Sequence, residues 1–242
     1  MKILFQFLMI FIFTASYSIE KSDSSRTKLK AGAIFSLNSN GISSIPAFTL
    51  DKPAIIAAVY LAKNRFSYEP TLAFGLDLRP WTIDNWIRYK LLDRPHFEFR
   101  AGLNISAFSS IYKLEDDEIL QSQRYLTPEI AFIYKISPGN SLTLNYLSDN
   151  GLDKGTIDGH YLNLQVDKSG IHAGKNVLIA VALQLFYVDY NGNNDGLYVS
   201  PRISSSLKNS PFTVFFQGIQ PITSNISPYP EFKWNVGLSY FI

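Results

Sequence analysis

HFEFRAGLNIS, residues 96–106, is the stretch whose reading decides the fold. Phe97, Phe99, Ala101, Leu103 and Ile105 alternate with Glu98, Arg100, Gly102, Asn104 and Ser106. Successive side chains of an extended chain point to opposite sides, so a period of two describes a strand with one apolar and one polar face. RYLTPEIAFIYKI, residues 124–136, repeats the pattern, setting Leu126, Ile130, Phe132, Tyr134 and Ile136 against Thr127, Glu129, Ala131 and Lys135. The chain closes on KWNVGLSYFI, residues 233–242, with Trp234, Val236, Leu238, Tyr240 and Ile242 on one parity. Termini fray unless something holds them, so this apolar end is expected to be docked in a sheet.

Carried along the chain, the same template predicts twelve strands, at about 28–37, 54–62, 66–78, 82–91, 96–106, 123–136, 141–148, 159–167, 176–189, 196–207, 211–220 and 231–242. No helix-length 3.6-residue pattern competes, so the fold is read as all-β and antiparallel. Short turns at 63–65, 92–95, 137–140 and 208–210 and a medium one at 168–175 alternate with longer loops at 38–53, 107–122, 149–158 and 221–230 and a medium one at 190–195. The exception is the short join at Arg79-Pro80-Trp81. Turns at one end and loops at the other, with an even strand count, describe a transmembrane up-and-down barrel of about 12 strands with both termini on the turn, periplasmic, side. Its solvent would be outer-membrane lipid.

The N-terminus supports export. Met1-Lys2 precedes an apolar run over 3–14, and Ser16 and Ser18 stand where a signal peptidase reads small residues. Residues 1–18 are therefore read as a signal peptide and 19–242 as the barrel; twelve apolar residues fall short of the roughly 20 that a spanning helix needs. The 22 Lys and Arg nearly balance 20 Asp and Glu, which gives no basic surface for nucleic acid, and the absence of Cys excludes disulfides and thiolate metal sites.

A soluble sandwich or lipocalin-like barrel shows the same period with its apolar face inward. Two features favour the opposite orientation. Phe, Tyr and Trp gather near strand ends, as aromatic girdles do. The polar face is ionic: Lys28, Lys30, Glu69, Asp77, Asp84, Arg88 and Lys90 in the first half, then Glu98, Arg100, Glu129 and Lys135, and finally Asp167, Arg202 and Lys233. These residues are expected to line a lumen, where mixed signs cross-pair, for instance Arg88 or Lys90 with Glu98. Leu103→Arg should then damage folding and Asn104→Arg be tolerated. Pro70, Pro128 and Pro201 share the apolar parity, and β-bulges are expected there.

The closing pattern Asn235-x-Gly237-x-x-Tyr240-x-Ile242 resembles the C-terminal β-signal of bacterial outer-membrane proteins. That resemblance implies a last strand read by the barrel-assembly machinery and paired with the first. More widely, the stretches 66–91, 142–164 and 185–204 resemble an outer-membrane β-barrel family common in the Gram-negative Bacteroidetes, which implies location and fold but no chemistry.

Three functions follow as candidates: a narrow porin-like channel or plugged structural barrel, a non-catalytic subunit of a larger outer-membrane assembly, and a lipid hydrolase. Apolar residues Ile111, Tyr112, Ile119 and Leu120 around the acids of the 107–122 loop are a docking candidate for the second. Outer-membrane lipid hydrolases place a His two residues from a nucleophilic Ser; here Tyr146 stands two before Ser148, and His160 lies across a loop. No catalytic residue is assigned. Asp189, Asn191, Asn193 and Asp195 are spaced as in a calcium loop, but Asn194 and Ser200 stand where such a loop needs Gly and Glu, so the stretch reads as a turn. The acidic run 115–118 reads as a solvated loop, and no metal or cofactor is expected.

Overall fold

The computed structural model describes residues 28–42, 49–114, 117–192, 194–226 and 231–242. The expected signal peptide, Glu115 and Asp116 of the acidic run, and Asn193 lie outside them. Twelve strands form: β1 (Lys30–Asn38), β2 (Ala54–Lys63), β3 (Phe66–Gly75), β4 (Pro80–Asp93), β5 (Phe97–Leu114), β6 (Asp117–Ser137), β7 (Asn140–Gly151), β8 (Gly159–Ala173), β9 (Val177–Tyr190), β10 (Asn194–Leu207), β11 (Phe212–Ser224) and β12 (Lys233–Phe241). Each pairs antiparallel with its sequence neighbours, and β1 pairs with β12 to close the barrel. The start of β1 and the end of β12 lie at the same end as the five short hairpins. Asn64 and Asn209 make two of those hairpins possible by taking φ of 57° and 65°, the left-handed region that Asn tolerates.

Two expectations about connections are corrected. Residues 107–114 and 117–122 are not loop but the upper part of β5 and β6, in which Ile111 faces Leu120 and Tyr112 faces Ile119 across the strands. Cross-strand apolar pairs continue the ladder although the intervening Ser and Gln residues break the pattern of the lower strand. The medium turn expected at 168–175 is likewise mostly strand, since β8 runs to Ala173. The prolines also differ from expectation. Pairing stops for two residues beside each, between Ala58↔Thr71 and Leu61↔Tyr68, between Leu126↔Asn150 and Glu129↔Leu147, and between Val199↔Gln220 and Arg202↔Gln217. Register is the same on both sides of every gap, so no bulge forms. The strands part where the N–H is missing and rejoin in step.

Parity decides inside and outside. Outward Leu103, Ile130, Leu183 and Leu238 are 38–50% exposed, whereas Asn104, Glu129, Asn163 and Asn235 between them are 1–4% exposed. A soluble apolar-core barrel would show the reverse. The outer band ends in aromatic cross-strand pairs at the turn end: Phe66 with Tyr89, Phe97 with Tyr134, Phe212 with Tyr240. Asn85, a polar residue of the outer face, accepts a hydrogen bond from the Tyr68 hydroxyl at 2.8 Å and donates to the Ile105 carbonyl at 3.1 Å. Asn104 is corrected as a tolerant position. Its amide donates to Asp84 at 2.8 Å and its oxygen accepts from the Asn85 N–H at 2.7 Å, so an arginine would break both bonds in a buried place.

Candidate functional site

The candidate site is the barrel interior, which has two unlike walls. On β3 to β6, inward residues are ionic because the alternation of those strands reads acid, base and glycine on one parity. Arg88 sits between Glu69, at 2.5 Å, and Glu129, at 2.6 Å, and Gly102 on the same wall leaves room for the Glu129 carboxylate. Arg100 Nε lies 3.6 Å from Glu129. Toward the turn end Lys90 pairs with Glu98 at 2.8 Å and with Asp93 at 3.4 Å, and Lys135 lies 3.5 Å from Glu98 and 3.7 Å from Asp93. Of the two pairings expected with Glu98, Lys90 makes one; Arg88 turns instead to Glu69 and Glu129.

The other wall is mainly aromatic. Inward Trp86, Leu147, Tyr161, Phe186, Val188, Tyr198 and Ile219, from β4 and β7 to β11, form one buried cluster, joined by Ile42 of the β1–β2 connection. Phe186 stacks on Tyr198 with ring centroids 5.0 Å apart and lies 5.5 Å from Tyr161. Ile42 reaches the cluster because the chain after β1 folds back over the mouth: Gly41 has no Cβ to meet the Trp81 ring, which would lie 2.8 Å from it, and Asn235 Oδ1 accepts from the Asn40 N–H at 3.1 Å.

This cluster divides the interior. A cavity of about 780 Å³ on the turn side is lined by Glu69, Arg88, Arg100, Glu129, Asn145 and Gln165 among others. A second of about 420 Å³ on the loop side is lined by Asp84, Asn104, Tyr112, Tyr125 and Asp149 among others. Trp86 and Leu147 line both. Trp86 and Leu147 therefore stand between the two spaces as a septum.

The remaining sequence candidates fall in different places. Asp77 is corrected: it lies beyond the end of β3, in the β3–β4 turn outside the barrel wall, bonded to Lys52 at 2.9 Å. The Lys52 ammonium holds the Asp77 carboxyl below its ordinary range. Lys233 pairs with Asp51 at 3.0 Å at the loop end, and Lys28 and Lys30 stand exposed at the turn end. Asp167 accepts from Gln165 at 2.7 Å near the turn rim, and Arg202 lies over the Phe215 ring at 4.0 Å. In β12, Asn235 donates to Asn38 at 2.8 Å; Gly237 lies beneath the Phe215 ring, which a Cβ would overlap; Tyr240 faces outward beside Phe212; and Ile242 exchanges backbone bonds with Ala33.

Ser148 and His160 are register partners, but the His160 ring bonds the Tyr146 hydroxyl at 2.7 Å rather than Ser148, all on the outer face. Asp189 accepts from the Gly192 N–H at 2.9 Å, an ordinary turn bond. Among the described residues no group of acids and histidines is placed to hold a metal ion. The septum residues are what sequence reading missed. A signal was present, since Trp86 shares parity with Asp84 and Arg88, and Tyr161 with Asn163 and Gln165.

No protein-family model matches the chain, and none of the curated proteins is significantly similar to it. Solved structures are similar in fold. The KdgM porin in complex with disordered oligogalacturonate superposes with a TM-score of 0.55 at 9% identity, covering 86% of this chain and 98% of the porin. The NanC porin gives 0.52 at 8% identity, covering 87% and 99%. An outer-membrane channel from Pseudomonas putida F1 gives 0.51 at 11% identity, covering 92% and 99%. The chain thus has the barrel fold of these outer-membrane proteins.

Proposed function

We propose that this chain is an integral outer-membrane barrel of a Gram-negative cell, of the Bacteroidetes type its sequence resembles, with both termini periplasmic and a narrow, septum-gated channel for small solutes. The observation that carries the reading is the pair of cavities sharing Trp86 and Leu147. An apolar outer band closed by aromatic pairs supports the lipid setting, and the fold shared with porins supports transport. Hydrophobic constrictions gate by excluding water, so a single ring can hold a pore shut without a folded plug. Anionic sugars fit the interior poorly, because Arg88, Lys90, Arg100 and Lys135 each already face a carboxylate. Asn235, Gly237 and Tyr240 lie on β12, and Ile242 directly after it, where that strand would present the assembly signal to the barrel-assembly machinery.

Planar-bilayer recording of the native protein against Trp86→Ala tests this. The native barrel is expected to conduct in small, infrequent steps and the variant in larger, sustained ones. Equal currents from the two would remove the septum from the pathway. A subunit role is favoured by one observation: Ile111 and Leu120, on the outward parity of the β5–β6 hairpin, are 36% and 44% exposed. Crosslinking from Leu120 in whole cells to another outer-membrane protein would support it.

A further inference from the structure

The loop-end cavity differs chemically from the ionic wall of β3 to β6. Among the described residues Asp84, 8% exposed, accepts from neutral donors, Thr82 at 3.0 Å and Asn104 at 2.8 Å. Asp149 accepts from Thr127 at 2.5 Å. Among the described residues neither carboxylate has a Lys, Arg or His nitrogen within ion-pair distance, whereas Glu69, Glu98 and Glu129 on the turn side all do. Removing a carboxylate from water is expensive unless a positive partner or dense hydrogen bonding compensates, and one or two neutral donors are a thin shell for each. The rest of the cavity wall is aromatic, with Trp86, Tyr112 and Tyr125 facing the same space. The Trp86 ring already takes a cation on one side, since the Arg88 guanidinium lies 4.2 Å from its centroid. Ring faces and carboxylates attract the same class of ligand: a positive charge carried on an apolar body.

We propose that this cavity binds a small organic cation, an ammonium or guanidinium compound with an apolar body. A volume of about 420 Å³ suits such a molecule. A metal ion is the poorer occupant. Among the described residues no third acid or histidine joins the two carboxylates, whereas a metal ion needs a full shell of such donors at coordination distance. An elongated cation lying across the rings can approach either carboxylate. The site needs only solvent access from the loop end; it does not depend on whether the barrel conducts.

The test is calorimetric titration of the full chain, extracted from outer membranes in detergent, with benzyltrimethylammonium, benzyl alcohol, benzenesulfonate and calcium at low ionic strength. Saturable binding is expected for the first alone, weakened at least tenfold by Asp84→Asn or Asp149→Asn and abolished by both together. Heat-modifiable gel migration checks that these variants close. Tyr112→Leu, outside the buried hydrogen bonds, covers the case in which they do not, and is expected to weaken the ammonium at least fivefold. Equal binding of the neutral or anionic probe, tighter binding of calcium, or unchanged affinity in folded Asp84→Asn/Asp149→Asn or in Tyr112→Leu would overturn the proposal. A silent barrel that binds the ammonium leaves this site standing and removes only the channel; a conducting barrel that fails to bind does the opposite.

Discussion

The ionic wall of β3 to β6 and the aromatic wall of β8 to β11 fill the same barrel by opposite means. On the first, Glu129 is held in place by what surrounds it: two guanidinium groups whose charge it completes. On the second, Phe186, fully buried, is held by shape, with rings on either side and no polar atom to satisfy. The difference lies in how each fails. An ionic wall is all or nothing, because removing one member strands a buried charge, whereas an aromatic wall degrades in proportion to lost volume.

The largest expected effect breaks the ionic wall. Glu129→Ala should destabilise the barrel by about 3–5 kcal/mol, since Arg100 then has no carboxylate and Arg88 keeps only Glu69. Urea unfolding in lipid measures this; a loss below about 1 kcal/mol, the range of solvated pairs, would mean that cavity water screens the wall and that the contrast is false. Next comes the boundary between inside and outside. Leu103→Arg should lose about 2–4 kcal/mol in the same assay, the penalty for a lipid-facing arginine at mid-depth. Thr143→Arg, facing the larger cavity, should stay within about 0.5 kcal/mol. Reversal of that order would exchange the two faces.

A smaller change probes the aromatic side where it meets the closing strand. Gly237→Ala should lose about 1–3 kcal/mol, because the new methyl meets the Phe215 ring and the Leu37 carbonyl. A fully stable variant would show that the wall there is loosely packed. The least effect lies outside the barrel altogether. Arg124 hydrogen-bonds Asp153 at 2.6 Å and holds its carboxyl below the usual aspartate range. With a depressed folded value, the contribution is complete above the unfolded value and is lost as pH falls through the folded one. Pepsin cleavage of the β7–β8 loop should therefore rise only at strongly acidic pH in the native chain and be independent of that window in Asp153→Asn.

Much of this architecture was legible because one parity of nearly every strand is predominantly apolar. Strand number, order and the ends carrying turns all follow from it. The upper β5–β6 hairpin was not legible, since over Ser106 to Ser110 and Gln121 to Gln123 serine and glutamine stand on both parities and the period fades. The ionic residues could be assigned to a face but not to partners. Arg88 finds Glu129, which lies 41 residues away and across β5. The septum was hidden for a different reason. Tyr161, Phe186 and Tyr198 are of the same residue types as the outer girdle, and parity alone separates them, while Ile42 arrives from a loop that has no period.

The closing seam has its own consequence. β1 and β12 share five register pairs, against eighteen between β5 and β6, and the seam is fastened from within by Asn235 on Asn38 and Ser36 on Ser239. Such a barrel behaves as a sheet with a clasp. Pulled or heated, it unbuttons at one line into an open, curved sheet, and the amides of β1 and β12 surrender their protons to solvent before any others in the wall. The strand that completes the molecule is also the hinge pin that comes out first.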